Sequence, residues 1–354
     1  MTRLTRAGLF DRSRLGNINP QNSQSLARFQ DTLSHGKALL AEYHLEGGNA
    51  ATLGKHQSWL IDQLLVSAWT AFTTDTTIRN VPSLIAAGGY GRQELNLESD
   101  IDLLVLLPAA PGKAESELIE NFVRFCWDMG LKVGHSARSL KQCIDIAAKD
   151  LTVITNLMET RLVHGDPGLF DRFQEKLRAR SLWPADRYFK AKLAEQQARH
   201  LHYGDTAYNL EPNLKESPGG LRDLHMISWV ANHYFGTSDF AELVEHGYLT
   251  RTEYRGLIRG RDFLWRLRNG LHLITRRCED RLLLDFQREL ADQLGYSQRK
   301  GVLAVEQMMQ QYYRTVQEIQ LLNEIALQHF EEDILNRRKP RPKKISEHFA
   351  VCET

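Results

Sequence analysis

Cysteine is scarce. The 354 residues hold four, Cys126, Cys143, Cys278 and Cys352, and no two of them form a CxxC pair. Neither a zinc ribbon nor a disulfide framework is indicated, and a reduced, cytoplasmic compartment is expected. Long apolar runs are missing too: no stretch of 18 or more apolar residues occurs, so no helical membrane span is expected. Residues 1–16, MTRLTRAGLFDRSRLG, lack a long apolar core and do not read as a signal peptide. Neither sign of charge dominates. Lys and Arg number 45, Asp and Glu 44, for a net charge of +1, so no whole-chain field argues for a nucleic-acid or membrane partner. Internal repeats are absent. What is left is an ordinary globular composition, 42% hydrophobic and 25% charged. At this length it should form more than one domain, or one domain with a large appendage.

Read along the chain, residues 1–25 are polar and loop-like. Helical patterns run over about 26–45 and 56–73, broken by Gly47-Gly48. Pro82 opens a strand that enters a glycine turn. A second strand follows, ended by Pro108 and Pro111-Gly112, then a helix over 115–129, a strand over 131–138, a helix to Lys149, and another from Asp150 to about Arg161. This alternation is that of a small α/β domain. Beyond Asp171 strand signals almost vanish. Helices are expected over roughly 167–180, 185–203, 221–235, 250–276, 285–294 and 299–335, and the Met and aromatic stripe of the last reads as helix core. The expected class is α+β: an N-terminal extension and helix (1–55), a small mixed-sheet domain (56–166), an all-α region (167–335), and a basic, Pro-rich linker (336–354).

The chain is organised around residues 88–106, GGYGRQELNLESDIDLLVL. Residues two apart in a strand point to one face, so Asp100 and Asp102 project together while Ile101 and Leu103 turn away. Two adjacent carboxylates raise each other's pKa unless a cation lies between them. A hard divalent ion, Mg²⁺ or Mn²⁺, resolves this, since such ions take oxygen ligands and bridge phosphates. The Gly88-Gly89 turn frees backbone N–H groups and lets a phosphate approach. Each feature alone is weak. Gly-Gly, ten intervening residues, then Asp-Ile-Asp leading an apolar strand is much more specific.

That pattern resembles the DNA-polymerase-beta-like nucleotidyltransferase superfamily. Further blocks narrow the resemblance to the bacterial protein-PII uridylyltransferase/uridylyl-removing enzymes: LKVGHSARS (131–139), EPNLKESPGGLRDLHMISWVA (211–231), FLWRLRNGLHLITRRCEDRLLLDFQRELADQLGY (263–296) and VEQMMQQYYRTV (305–316). Ala137 and Ser139 stand where the family more often has Val and Thr. Leu97 stands where it often has Pro, so a looser turn is expected there. The resemblance implies transfer of UMP from UTP to a tyrosine hydroxyl of the signal protein PII, with Mg²⁺ or Mn²⁺. Asp100 and Asp102 would hold the metals, and Gly88, Gly89, Arg92 and Ser99 would surround the triphosphate. The superfamily usually adds a third carboxylate. Glu159 and Asp150 are the candidates: a helix cap also explains Asp150, and an ion pair with Arg161 or a surface role also explains Glu159. Lys215 and Arg222 either flank a simple loop entering a helix, with Asp223 in its first turn, or form an anion site at a helix N-terminus. Arg276, Arg277 and Arg281 read as ion-paired surface, His135 and His272 as structural. The family also carries an HD domain that removes UMP and ACT domains that sense glutamine. No His-Asp dipeptide occurs here and the linker is followed by little, so only the forward reaction is expected. Two alternatives stay open: a nucleotidyltransferase with another acceptor, and a module that binds PII or UTP without turnover.

Overall fold

The computed structural model describes residues 4–335, apart from 75, 77, 179–181, 205–208 and 300, and the segments 343–344 and 350–351. Residues 1–25 are not wholly loop: α1 (Arg6–Leu9) and a 3-10 turn (Arg12–Leu15) precede α2 (Ser23–Leu45) and α3 (Ala50–Thr73). Asn22 and Asn49 cap these two helices by accepting from Gln24 and Thr52 N–H at 2.8 Å. Strand β1 (Ser83–Ala86) leads into a single helical turn, α4 (Gly88–Gly91), and then β2 (Ile101–Leu107). There follow α5 (Lys113–Asp128), β3 (Val133–Ser139), α6 (Leu140–Ala147), α7 (Leu151–Met158), β4 (Arg161–His164) and α8 (Pro167–Leu177). The remainder is helical: α9 (Ala185–His202), α10 (Leu221–Phe235), α11 (Phe240–Glu245), α12 (Arg251–Thr275), α13 (Leu284–Gln293) and α14 (Ala304–Leu335). Lys343–Lys344 (β5) and Ala350–Val351 (β6) pair antiparallel. The rest of the linker lies outside the described residues. None of the described helices is long and apolar enough to cross a membrane.

The sheet is mixed, in the order β3-β2-β1-β4. β2 runs antiparallel to β1 and parallel to β3. The sequence pattern carries the helix over 150–161 too far. It stops at Met158, and Arg161–His164 instead pairs with β1 as an edge strand. Four residues without clear alternation gave no strand signal.

Alternation along β2 sorts the layers. Leu103, Val105 and Leu107 face Leu64, Trp69 and Phe122 of α3 and α5, while Leu104 and Leu106 pack with Cys143, Ile154 and Phe173 of α6, α7 and α8. Each such buried Leu or Phe contributes about 1.5–3 kcal/mol. The core on the α6 and α7 face thus runs past residue 166 into α8, and the core on the α3 and α5 face takes in α2 of the N-terminal extension. A third core joins α10, α12, α13 and α14, with Met308, Tyr312, Val316 and Ile319 of the long stripe buried in it.

Candidate active site

Asp100 and Asp102 are both exposed, and the intervening Ile101 and its neighbour Leu103 are buried. The ladder begins at Ile101, whose N–H donates to Lys132 O at 2.8 Å. Asp100 therefore sits just ahead of the strand and Asp102 within it. By parity both carboxylates belong to the sheet face covered by α7, and both line a cavity of about 540 Å³ between the sheet and the helical region. Burial raises the pKa of Asp102, and Asp100 raises it further, against the pull of Lys215 and Arg92. A second negative charge thus opposes ionisation, as expected for a pair that would share a cation. Room exists beside them. The β3 residue opposite Asp102 is Gly134, and a Cβ there would stand 3.4 Å from Asp102 Oδ1.

Gly88 has φ +55°, and a Cβ on it would stand 3.1 Å from Asp102 Oδ2 and 3.2 Å from Asn156 Oδ1. The turn can close over the carboxylate only because that position has no side chain. Amides of the first helical turn have no acceptor within the helix, so Gly88 and Gly89 present donors to the cavity they line. Gly91 has a different necessity: a Cβ there would fall 1.8 Å from Glu159 O. Ser99 also lines the cavity, but its hydroxyl accepts from Asn96 N–H at 3.2 Å and closes the turn before Asp100. That turn is not loosened by Leu97. The Leu97 N–H, which a proline would lack, donates to Asn269 Oδ1 at 3.0 Å.

Arg92 lies at the cavity wall between two acids. Its Nε donates to Glu94 Oε2 and its Nη1 to Glu159 Oε2, both at 2.6 Å. Burial disfavours its charge, but Glu159 and Glu94 outweigh that and hold the guanidinium protonated. Burial would raise Glu94, yet Arg92 and His225 hold it down at about 2. His225 takes the third place. Arg92 can only donate, so His225 Nε2 accepts at 3.1 Å, and burial with the neighbouring Arg92 lowers its pKa to about 3.

Both Glu159 oxygens are engaged. Oε1 accepts from Trp229 Nε1 at 2.5 Å while Oε2 holds Arg92. Its ion-pair partner is Arg92, whereas Arg161 binds Asp62 at 2.9 Å. Asp150 caps α7, accepting from Thr152 and Val153 N–H. Among the described residues the one group of three His, Cys, Asp or Glu whose ligand atoms lie within 4.8 Å of one another is His272, Cys278 and Asp280. The Arg268 guanidinium already occupies that other cluster, donating to Asp280 at 2.5 Å.

The lining also holds cations. Lys215 and Arg222 both line the cavity. Burial lowers the Lys215 pKa, and Arg222 and Arg268 lower it further, so an anion arriving there would be welcome. Arg222 is braced by Glu216 at 3.0 and 3.3 Å and stands over Trp229, 5.3 Å from the ring centre. The loop carrying both residues is fixed by Asp223, which is fully buried. It accepts from Gly219 N–H at 2.7 Å and Gln196 Nε2 at 2.9 Å, is ion-paired to Arg199, and lies 2.9 Å from His200 Nε2. The loop of the sequence reading is thus secured by Asp223, and it carries two cations that line the cavity.

Sequence reasoning missed the rest of the lining. Helix α7 contributes Thr152, Thr155 and Asn156, and α9 contributes Lys192, Glu195 and Arg199. Lys192 is 2% exposed, 2.9 Å from Glu195 and 3.9 Å from the Trp229 ring centre. The signal was present as polar faces, at i, i+3, i+4 in α7 and i, i+3, i+7 in α9, but such faces usually read as solvated. Arg277 and Arg281 pair with Glu279 and Glu211 at the surface. His135 stacks edge-on to Trp127, and His272 is buried against the turn before Asp100.

Comparison with known proteins agrees with this geometry. Residues 187–327 match the family described as GlnD PII-uridylyltransferase. A curated protein of Azotobacter vinelandii is 44% identical over 332 residues, covering 93% of this chain and 36% of the relative. One of Ectopseudomonas mendocina is 42% identical, covering 94% and 37%, and one of Methylococcus capsulatus is 43% identical, covering 90% and 36%. All three are named bifunctional uridylyltransferase/uridylyl-removing enzyme. The chain spans a little over a third of their length.

Proposed function

We propose that this chain, a relative of the bifunctional uridylyltransferase/uridylyl-removing enzymes, transfers UMP from UTP to a tyrosine hydroxyl of a PII signal protein. The new bond joins the phenolic oxygen to the α-phosphorus. The bond from the α-phosphorus to the bridging oxygen breaks, pyrophosphate leaves, and the phenolic proton is lost to solvent or a base. The observation that supports this most is the placement of Asp100 and Asp102 on one face, beside Gly88, at the wall of a cavity that Lys215 and Arg222 also line.

Asp100 and Asp102 would hold Mg²⁺ or Mn²⁺. The donor set fits a hard cation, because both carboxylates face the cavity and Asp100 opposes the ionisation of Asp102 without one. When bound, the ion supplies charge neutralisation at the phosphoryl oxygens and lowers the pKa of an attacking hydroxyl. A tyrosine hydroxyl needs that help, with an ordinary pKa near 10. The chain's own residues do the rest. Gly88 and Gly89 amides and the Lys215 ammonium receive the triphosphate oxygens. Arg222, braced by Glu216, adds charge on the leaving side. Arg92, clasped by Glu94 and Glu159, acts as a rigid strut that fixes α4 against α7.

The test is direct. The purified chain, PII, UTP labelled in the α-phosphate and Mg²⁺ should place label on PII. Asp100→Ala plus Asp102→Ala should reduce the rate at least about 10³-fold, the loss of several kcal/mol expected when metal ligands go. UTP binding without labelled PII would point to a binding module instead, and label on another acceptor would replace PII in the reading.

A further inference from the structure

Asp102 is fixed by pairing on both sides: the adjacent Leu103 is matched to Ala86 on β1, and Asp102 itself to Gly134 on β3. Asp100 has no such ladder. Its place depends on the turn before it, and that turn is gripped from the helical region. Leu97 N–H donates to Asn269 Oδ1 at 3.0 Å and Glu98 N–H to His272 Nδ1 at 3.2 Å. From the other side, α3 supplies Gln57, whose Nε2 donates to Asn96 O at 2.9 Å and Leu97 O at 3.1 Å. Asn269 and His272 lie one turn apart on one face of α12 and are 1% and 0% exposed. A backbone N–H can only donate, so His272 Nδ1 carries no proton and Nε2 does. Nε2 faces Asp280 Oδ1 at 3.8 Å. Asp280 is held by Arg268, and its backbone oxygen accepts from Leu214 N–H at 2.8 Å, next to Lys215. One stretch of α12 therefore touches both lips of the cavity.

We propose that Asn269 and His272 are positioning residues for the metal carboxylates: they hold the Leu97–Glu98 backbone so that Asp100 stays at the separation from Asp102 that a shared divalent ion requires. Before the ion arrives the two carboxylates repel, and the ladder at Ile101 and the turn before Asp100 together resist its outward movement. Ligand sets work within about 0.5 Å, so two hydrogen bonds to consecutive amides are an effective restraint. Partners of this kind typically govern metal affinity by about 10–100-fold. The proposal rests on the nucleotidyl-transfer reading above.

The experiment compares His272→Leu, His272→Asn and Asn269→Leu in the full chain. In His272→Asn the new amide oxygen can stand near the place of Nδ1 and accept from Glu98 N–H. In His272→Leu no acceptor remains. Mn²⁺ affinity in the presence of UTP is read by electron paramagnetic resonance well below each variant's melting temperature, which is measured separately. His272→Leu and Asn269→Leu should each weaken Mn²⁺ by about tenfold, and His272→Asn should stay within about threefold of the unaltered chain, whatever its melting temperature. Equal affinity in His272→Leu and His272→Asn, or losses that follow melting temperature rather than the acceptor, overturn the proposal. Asp100→Ala in the same titration separates the two readings: Mn²⁺ binding that survives it removes the metal site itself, and the positioning role with it.

Discussion

Arg92, clasped by Glu94 and Glu159, gives a measurable consequence at Glu94. Burial alone would push that carboxyl up. The guanidinium at 2.6 Å and the nearby His225 instead hold it at about 2, from an ordinary 4.5. A carboxyl whose folded pKa lies below its unfolded one adds stability that is present above the unfolded value and fades as pH falls toward the folded value. The difference corresponds to roughly 3 kcal/mol near neutrality. Glu94→Gln removes it and leaves a buried cation with one acid instead of two, a loss of the same order. Urea unfolding of the two proteins should therefore differ by roughly 3 kcal/mol near pH 7, falling to roughly 2 kcal/mol near pH 3.5, because part of the advantage is already titrated away there. The slope against urea should be unchanged. A gap that does not narrow on acidification would show that Glu94 acts through packing and hydrogen bonding rather than through its charge. A gap below about 1 kcal/mol at neutrality, the value of an exposed pair, would refute the account of the Arg92 strut.

Two further substitutions probe the frame. Asp223→Asn strips the charge that faces Arg199 and His200 in a fully buried site. It should cost about 3–5 kcal/mol and lower the melting temperature by roughly 10 °C, as read by calorimetry. Gly91→Ala drives a methyl to 1.8 Å from Glu159 O, against backbone that cannot give way cheaply. A loss of about 1–3 kcal/mol or more is expected by thermal melting, with reduced UTP binding by titration because α4 and α7 are forced apart.

Much of this was legible in the sequence because it depends on local rules. Period-two alternation across Asp100-Ile101-Asp102-Leu103 placed the carboxylates correctly, and the Met and aromatic stripe placed α14 in the core. The short strand at Arg161–His164 was invisible, since it forms only because β1 offers a free edge. The partners of Arg92 and Glu159 were hidden for a related reason. A charged residue's partner is set by tertiary approach, and Glu159 meets Arg92 and Trp229, 67 and 70 residues away in the chain. The α9 contribution was hidden in a helix face that looked solvated until Trp229 was brought beneath Lys192.

The grip of α12 on the turn before Asp100 has a consequence for biogenesis. Leu97 and Asn269 are 172 residues apart, so the chain must travel that distance before the turn is secured. At about 5–20 residues per second of synthesis, that is a delay of roughly 10–35 s. Loop closure over such a span is slow relative to formation of the local helices. During that interval β1 and β2 can pair while the two aspartates lack their final spacing. A nascent chain would thus pass through a stage with a formed sheet and an unready aspartate pair, and the final spacing would arrive late, when α12 docks.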